Sequence, residues 1–372
     1  MQLEKMEWGS AFGNPVWLYR IRGEDSSFEI EICNVGATLN RFKLKNSEEM
    51  LEDIAYGWDS LEDLLYNKGN SYLGATVGRT ASVTLLGEIE IDGTIYHLTK
   101  NMMGINHQHG GFSGFHKKWM KVVSEKVDEG SCSLIFEFFS PEGEEGYPGN
   151  LKGTVEYRIT KEKDGLILEY IMKGTTDKST PVNMVNHAYW NLDGIGTTID
   201  DLTISIDSDK YLSFDLSKII LKSVGAKIGL GKKSRDPMEI KDLGKKKPLL
   251  QTPMKFSEIF SKYGDIDDNF ILDKNSASLI KDGRTLTHAV SLSSTKTRRS
   301  LDIYTTEPAI IVYSGNYMDK VQTMGMQCKK HYAVCLETCK PSNSARLPEF
   351  KDAVILKPDQ EYCHHSLLKF NF

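Results

Sequence analysis

Two separated stretches of the sequence place a histidine among amides and glycines. They are Asn106-His107-Gln108-His109-Gly110-Gly111 and Asn183-Met184-Val185-Asn186-His187-Ala188-Tyr189-Trp190-Asn191-Leu192. Histidine titrates nearest to neutral pH, so a pair of histidines can supply proton transfer there. Glycines after His109 let the backbone approach a ligand closely, and Asn186 can both donate and accept hydrogen bonds. A lone histidine is more often structural, but two such stretches together predict a polar pocket.

Two acidic positions are candidates for the same pocket. Glu337 ends the apolar stretch Tyr332-Ala333-Val334-Cys335-Leu336, and apolar surroundings raise the pKa of a carboxyl group and make it a better general base. Asp267 lies in the run Asp265-Ile266-Asp267-Asp268-Asn269-Phe270. Capping of a turn by a short carboxylate explains Asp267 as well as a binding role does.

Composition excludes several classes of partner. The 372-residue chain carries a formal net charge of -5, whereas nucleic-acid binders usually show a basic face. The short runs Lys232-Lys233 and Lys245-Lys246-Lys247 are predicted to lie in solvated loops. The N-terminus has no apolar signal region, and no stretch approaches the roughly 18 apolar residues of a membrane span. We therefore expect a cytoplasmic protein that binds neither nucleic acid nor membrane.

The six cysteines, at positions 33, 132, 328, 335, 339 and 363, show no CxxC spacing. Scattered thiols of this kind are typical of reduced packing residues in a cytosolic protein. Cys335 and Cys339 stand four apart, but no second pair completes a tetrahedral zinc site. We expect neither a metal nor another cofactor.

The dominant sequence period is two, as in half-buried strands. It is clear in Phe28 to Ile32 and in Leu202 to Ile206. Glu88 to Tyr96 is predicted to form a hairpin, because Asp92-Gly93 supplies the positive φ angles of a two-residue turn. Further strands are predicted at Leu134 to Phe139, Gly153 to Ile159, Leu166 to Ile171, Leu301 to Thr305, Ile310 to Tyr313 and Ala333 to Leu336.

Many strands with closely spaced turns predict an all-β sandwich or barrel. A helix is predicted only at Ser60 to Tyr66, with Ser60 as its N-cap and Glu62-Asp63 in its first turn. No Pro/Gly/Ser-rich linker interrupts the chain. The Gly- and Lys-rich segment 225–250 is predicted to be a long surface loop within one domain, residues 1–372.

A series of ordered motifs runs almost from end to end. Besides the two histidine stretches, these are Asn34-Val35-Gly36-Ala37-Thr38, Gly57-Trp58-Asp59-Ser60-Leu61-Glu62-Asp63, Gly74-Ala75-Thr76-Val77-Gly78-Arg79, Thr305-Thr306-Glu307-Pro308, Ser314-Gly315-Asn316 and Leu336-Glu337-Thr338. With them the chain resembles the aldose 1-epimerase, or galactose mutarotase, family. The resemblance implies a large antiparallel β-sandwich with few short helices and a cleft open to solvent. It also implies cofactor-free interconversion of the α and β anomers of free hexoses. We expect a small-molecule hexose substrate and a monomer or weak homodimer.

The resemblance also implies roles for individual residues. Glu337 corresponds to the general base that takes the proton of the anomeric hydroxyl, and His187 to the acid that protonates the ring oxygen. His109 corresponds to a second catalytic histidine near that oxygen, and Asp267 to the carboxylate that binds ring hydroxyls. The other expected substrate-binding residues are Ser82, Arg79, Asn186 and Tyr189. Arg79 matches its own family counterpart, which also favours a structural role.

The residue types fit this chemistry by themselves, because opening a cyclic hemiacetal requires one proton removed and one delivered. A carboxylate facing an imidazole across the ring can do both without a metal. The rival arrangement is a glycosidase-like pair of carboxylates, here Asp267 and Glu337.

The chain departs from the family pattern at several sugar contacts. Ser82-Val83 replaces a usual Asn-Arg pair, while Ile311 and Cys339 each replace a glutamine. A charge-assisted hydrogen bond contributes about 1.5–3 kcal/mol and a neutral one about 0.5–1.5 kcal/mol. Together these losses predict hexose binding weaker by about 3–4 kcal/mol, a factor of several hundred.

Two other functions remain open; the departures favour the first, and the arginine replaced by Val83 argues against the second. One is a carbohydrate-binding or weakly active family member with altered sugar preference. The other is an epimerase of a phosphorylated sugar, which would require a basic cluster beside the pocket. The remaining histidines considered, His107, His116, His364 and His365, are predicted to be structural or solvent-facing.

Overall fold

The computed structural model describes residues 1–46, 48–66, 71–212, 240–242 and 250–372. Strands dominate this part of the chain. They are β1 (Gln2–Ala11), β2 (Asn14–Arg22), β3 (Phe28–Cys33), β4 (Thr38–Lys45), β5 (Leu51–Ala55), β6 (Thr76–Val77), β7 (Val83–Thr84), β8 (Glu88–Ile91), β9 (Thr94–His97), β10 (His107–Gln108), β11 (Lys121–Asp128), β12 (Ser131–Ser140), β13 (Leu151–Glu162), β14 (Gly165–Thr176), β15 (Thr180–Pro181), β16 (Val185–Asn186), β17 (Tyr189–Trp190), β18 (Thr203–Ile206), β19 (Ser208–Leu212), β20 (Ile240–Asp242), β21 (Met254–Lys255), β22 (Asp267–Leu272), β23 (Ser278–Lys281), β24 (Arg284–Ser293), β25 (Ser300–Thr305), β26 (Ala309–Tyr313), β27 (Gln322–Thr323), β28 (Met326–Gln327), β29 (Val334–Cys339), β30 (Ile355–Leu356) and β31 (Tyr362–Asn371). The helices are α1 (Leu61–Tyr66), α2 (Phe256–Tyr263) and α3 (Pro348–Val354).

Two large antiparallel sheets form the body of the molecule. The first has the strand order β1-β2-β3-β4-β5-β17-β29-β26-β22-β19-β20. The second has the order β11-β12-β13-β14-β31-β25-β24-β18-β21, with β23 added beside β24. The predicted all-β architecture of large antiparallel sheets with few short helices is therefore confirmed.

The main hydrophobic core lies between these two sheets and draws side chains from both. Phe42 on the first sheet packs against Phe370 on the second, with ring centroids 4.6 Å apart. Trp190 lies 5.3 Å from the same ring. Burial of such large aromatic side chains is a main source of stability in sandwich folds.

Most strands follow the predicted alternation, but β3 does not. Its glutamates, Glu29 and Glu31, are buried together with the apolar residues between them. Cross-strand basic partners explain the difference: Arg22 donates to Glu29 at 2.6 Å, and Arg20 donates to Glu31 at 2.8 Å. Long basic side chains from the neighbouring strand cover the carboxylates and satisfy them.

The predicted local signals at the hairpin and at α1 are confirmed. Asp92 and Gly93 have φ angles of 50° and 78°, and Ile91 pairs with Thr94 across the turn. At α1, the Ser60 hydroxyl accepts a hydrogen bond from the Asp63 amide at 3.1 Å. This is the side-chain N-cap that the sequence predicts.

The expectation of a single helix is wrong, because α2 and α3 are also present. Helix α2 buries Phe256 and Ile259, three residues apart, on one face. Helix α3 begins with Pro348. Proline suits the first helical position, because the N–H that it lacks would have no hydrogen-bond partner within the helix. Both helices are short and follow strand-like or irregular segments. The period-two pattern around them therefore obscured their helical periodicity.

The predicted surface loop at 225–250 and the two lysine runs fall almost wholly outside the described residues. Within the described ranges, no helix combines the length and the apolar character needed to cross a membrane.

Candidate active site

Four neighbouring strands of the first sheet form the floor of a cleft. Pairing across β22, β26 and β29 aligns Asn269, Ile311 and Glu337 in one row. A second row, two residues along each strand, contains Asp267, Tyr313, Cys335 and, from β17, Tyr189. Directly paired residues and residues two apart share a sheet face. The register of these strands therefore brings together residues far apart in sequence.

Loops between short strands supply the other side chains of the cleft. His187 lies between β16 and β17, and its amide donates to the carbonyl of Ala75 at 2.9 Å. Its ring is stacked between Tyr189 and Tyr72, at centroid distances of 5.1 and 5.8 Å. These aromatic contacts hold the imidazole in one orientation.

The cleft has a volume of about 250 Å³. The candidate residues that line it are Glu337, His187, His109, Asp267, Ser82 and Tyr189. Six of the eight site residues expected from the sequence thus meet in one place.

The carboxyl group of Glu337 faces the imidazole of His187 at the floor of the cleft. Oε1 of Glu337 lies 3.5 Å from Nε2 of His187, and both side chains are buried. Burial and the nearby charge of Asp267 raise the pKa of Glu337 well above its ordinary value. Burial lowers the pKa of His187 to about 4. The environment thus disfavours the charged form of each group, which prepares the pair for exchange of protons.

His109 has a defined tautomer. The Ser82 amide donates to Nδ1 of His109 at 3.3 Å, so Nδ1 is an acceptor and Nε2 carries the proton of the neutral ring. Burial, with neighbouring histidines, lowers the pKa of His109 well below its ordinary value. His109 is therefore a neutral hydrogen-bond donor.

Three residues that line the cleft have left-handed backbone conformations: Tyr72, Ser82 and His109, with φ of 55°, 58° and 50°. Such conformations are uncommon outside glycine and cluster at functional sites.

The glycines after His109 have a different role from the predicted close approach to a ligand. A Cβ on Gly110 would lie 1.7 Å from the carbonyl oxygen of Gly78, and one on Gly111 would lie 2.1 Å from a carboxylate oxygen of Glu145. The close approach is therefore to the protein itself, and it fixes the path of the loop that carries His109.

Arg79 does not line the cleft. Its guanidinium is buried and donates to the carbonyls of Pro148 at 2.8 Å and Gly149 at 3.0 Å, and to Ser140. These contacts enclose the guanidinium away from the cleft lining, and they tie the segment of Arg79 to the loop that contains Pro148 and Gly149.

Asn186 also lies outside the cleft lining. Its amide nitrogen donates to the carbonyl of Gly74 and to the hydroxyl of Tyr157, both at 2.9 Å. These two hydrogen bonds hold the Asn186 amide against Gly74 and Tyr157 rather than in the cleft lining.

The other four histidines considered in the sequence analysis are buried, and none lines the cleft: His107, His116, His364 and His365. For example, Nε2 of His107 lies 2.6 Å from the Tyr147 hydroxyl, and Nε2 of His365 lies 2.8 Å from Glu169. They are structural rather than solvent-facing.

One group in the cleft could in principle hold a metal ion. The donor atoms of His187, Cys335 and Glu337 all lie within 4.8 Å of one another. Burial raises the pKa of the Cys335 thiol well above its ordinary value, which disfavours the thiolate that a metal needs.

The cleft also contains residues that the sequence analysis did not select. They are Ser71, Tyr72, Met102, Gln108, Asn269, Tyr313, Tyr317, Met318, Lys320, Val321 and Ser342. Val83 and Ile311, two of the departures from the family pattern, line the cleft as well. Asn269 follows Asp267 by two positions, so the strand period alone could have identified it. Tyr72 and Ser342 lie in loops, where no periodic signal exists.

Comparison with known proteins agrees with the fold. The family model described as Aldose 1-epimerase matches residues 18–369. Galactose mutarotase from Rattus norvegicus is 32% identical over 363 residues, covering 96% of this chain and 95% of that protein. Aldose 1-epimerase from Escherichia coli (strain K12) is 28% identical over 365 residues, covering 97% and 96% of the two chains.

The fold has a solved counterpart in galactose 1-epimerase from Lactobacillus acidophilus NCFM. That structure aligns with a TM-score of 0.78 at 23% identity and covers 100% of this chain and 99% of the other. Together with the match of the family model over residues 18–369, these relationships show that the chain belongs to the aldose 1-epimerase family.

Proposed function

We propose that this protein is an isomerase that interconverts the α and β anomers of free hexoses, with Glu337 as the base and His187 as the acid. The observation that carries the proposal is the buried Glu337–His187 pair, 3.5 Å apart, at the floor of an open cleft. Membership of the aldose 1-epimerase family supports the reaction class.

The reaction requires the pair to hold one proton in total. The reactive arrangement has Glu337 ionised and His187 protonated, and it is the minor one, because burial favours the proton on Glu337. Glu337 takes the proton of the anomeric hydroxyl while His187 gives its proton to the ring oxygen. The C1–O bond to the ring oxygen breaks, and the anomeric C–O bond becomes the aldehyde carbonyl.

The open-chain sugar then rotates about C1–C2 and closes on the other face of the carbonyl. Closure reverses both proton transfers, so the enzyme returns to its starting protonation state. At the aldehyde stage Glu337 carries the proton and His187 is neutral. Burial favours this proton arrangement, because it stabilises the neutral form of each group.

Neighbouring groups position the sugar in this scheme. Nε2–H of His109 donates a hydrogen bond near the ring oxygen, and Asp267 accepts hydrogen bonds from ring hydroxyls. The close partner of Glu337 is an imidazole, which favours hemiacetal opening over a glycosidase reaction of Glu337 with Asp267.

Polarimetry of freshly dissolved α-D-galactose, and separately of α-D-glucose, tests the activity directly. We expect the protein to accelerate the approach to the anomeric equilibrium for at least one of the two hexoses. Failure to accelerate either at high protein concentration would overturn the enzymatic proposal.

The variant Glu337→Gln tests the assignment of the base. We expect it to abolish acceleration while changing hexose binding little, because an amide keeps the shape of the side chain and cannot accept the proton. Glu31→Gln is the matched control, since Glu31 is also a buried carboxyl group on the first sheet but does not line the cleft. Loss of activity in both variants would refute a specific role for Glu337.

A carbohydrate-binding protein is the second candidate function. Val83 and Ile311, which replace polar residues of the family pattern, both line the cleft. Binding of hexose without acceleration, measured by calorimetry, would favour this alternative.

The proposal also covers the cellular compartment and the oligomeric state of the protein. All six cysteines are free, and five of them are buried, which supports a reducing compartment such as the cytoplasm.

We further propose a monomer or weak homodimer, and sedimentation at several concentrations would distinguish the two.

A further inference from the structure

One apolar side chain interrupts the polar row on the cleft floor. Ile311 pairs with Asn269 on one side and with Glu337 on the other. Directly opposed side chains on adjacent antiparallel strands lie in contact range. Ile311 is buried at the cleft surface, so whatever part of a ligand lies beside Glu337 on that side meets hydrocarbon.

The strand order places Ile311 and His187 on opposite sides of Glu337. Strand β29 carries Glu337 and lies between β26 and β17. Ile311 lies on β26, and His187 comes two residues before the start of β17. A sugar with its anomeric oxygen at Glu337 and its ring oxygen at His187 has C2 on the side away from the ring oxygen. Its C2 substituent therefore points toward Ile311.

The hydroxyls of Ser82 and Ser342 and the side-chain carbonyl oxygen of Asn269 are engaged with one another at this end of the cleft. The hydroxyls of Ser82 and Ser342 are hydrogen-bonded to each other. The side-chain carbonyl of Asn269 accepts hydrogen bonds from the amide of Ser342 at 2.7 Å and from its hydroxyl at 3.1 Å. Val83, which follows Ser82, adds a second apolar side chain to the cleft lining.

We propose that the cleft is selective for aldoses that lack a hydroxyl group at C2, and that Ile311 determines this selectivity. The inference rests on the proposed function and on its assignment of Glu337 and His187. A C2 hydroxyl packed against Ile311 loses hydrogen bonds to water that this side chain cannot replace, whereas a C2 methylene gains an apolar contact. The Michaelis constant should therefore be lower for the deoxy sugar.

Matched sugars provide the test. The KM and kcat of the wild-type protein are measured by polarimetry for D-galactose, 2-deoxy-D-galactose and 6-deoxy-D-galactose, with each spontaneous rate subtracted. We expect the KM for the 2-deoxy sugar to be about tenfold or more below that for galactose. KM reports binding, and kcat the reactivity of each sugar, where the sugar dissociates faster than it reacts.

Two variants separate the polarity of Ile311 from its shape. Ile311→Gln is expected to lower the KM for galactose and to remove the preference for the 2-deoxy sugar, because an amide can bond the C2 hydroxyl. Ile311→Leu keeps an apolar side chain of equal size and is expected to retain the preference. Thermal unfolding of both variants verifies that they fold, and the comparison of wild-type substrates stands even if one does not.

The outcomes distinguish the selectivity at C2 from the mutarotase activity itself. Acceleration of galactose with equal KM values for galactose and 2-deoxygalactose overturns the selectivity and leaves the mutarotase proposal intact. A lower KM for 6-deoxygalactose alone overturns the placement of C2 beside Ile311. Acceleration of none of the three sugars overturns both proposals.

Discussion

Burial acts in opposite directions on the two members of the proton-transfer pair. It raises the pKa of Glu337 and lowers that of His187 to about 4. The pair therefore holds a single proton between the lowered pKa of His187 and the raised pKa of Glu337. Two residues 150 positions apart in the chain acquire this property only because both are enclosed by the same cleft.

The pH dependence of kcat/KM should reflect this range. As pH falls through the lowered pKa of His187, a second proton binds and Glu337 can no longer act as a base. We expect the acidic limb near pH 4, below the ordinary histidine value of about 6.5. Measurement of mutarotation rates between pH 3 and 9, corrected for the spontaneous reaction, provides the profile. A midpoint between pH 6 and 7 would contradict the assignment.

Arg79 should matter for stability rather than for binding. Arg79→Met removes the donor to several buried carbonyls, including those of Pro148 and Gly149, and leaves them unsatisfied. We expect a loss of about 3 kcal/mol or more in the free energy of unfolding, measured with urea. The KM of the protein that remains folded should stay within about twofold of wild type. A large rise in KM without loss of stability would instead place Arg79 at the substrate.

Among the elements, short strands and their turns position the catalytic side chains. The sequence predicted β29 well, because Val334 to Leu336 are continuously apolar, and it predicted the β8–β9 hairpin from Asp92-Gly93. It did not predict the two-residue strands β7, β10, β16 and β17, which are shorter than any periodic signal. Their positions depend on contacts with distant segments, such as the hydrogen bonds between Ser82 and His109.

Two glycine substitutions compare a turn with a catalytic loop. Gly93→Ala in the β8–β9 hairpin meets nothing within 4 Å, so only its φ of 78° opposes the change, at about 1 kcal/mol. Gly110→Ala would bring a Cβ to 1.7 Å from the Gly78 carbonyl oxygen and must displace the loop that carries His109. We expect Gly110→Ala to lose at least tenfold in kcat/KM and Gly93→Ala to retain activity, as measured by polarimetry. Equal activity of the two variants would show that the His109 loop tolerates displacement.

At the scale of the whole molecule, the packing of the two sheets supports the cleft floor. Trp190, next to the cleft residue Tyr189, packs against Phe370 of the second sheet. Phe42 contacts both of these rings. The back of the catalytic sheet is thus in direct contact with the opposite sheet.

Truncation of Phe370 tests this support. Phe370→Ala should lower the free energy of unfolding by about 3–5 kcal/mol, because it leaves a cavity between Phe42 and Trp190. Phe139→Ala is the matched control, since Phe139 lies on the same sheet but is 56% exposed, and we expect a change below about 0.5 kcal/mol. Denaturant unfolding of both variants measures the difference. A cost below 1 kcal/mol for Phe370→Ala would show that the sheets do not depend on this contact.

The sequence by itself determined the all-β class and the family and supplied the candidates for proton transfer, because period-two patterns, turn residues and ordered motifs are local properties of the chain. Only the tertiary structure decided which candidates share the cleft: it brought Asp267, His187 and Glu337 together and directed Arg79 and Asn186 away from them. It also placed Ile311 between Asn269 and Glu337. Strand register and burial, which depend on pairing between segments distant in sequence, are the physical reasons for that division.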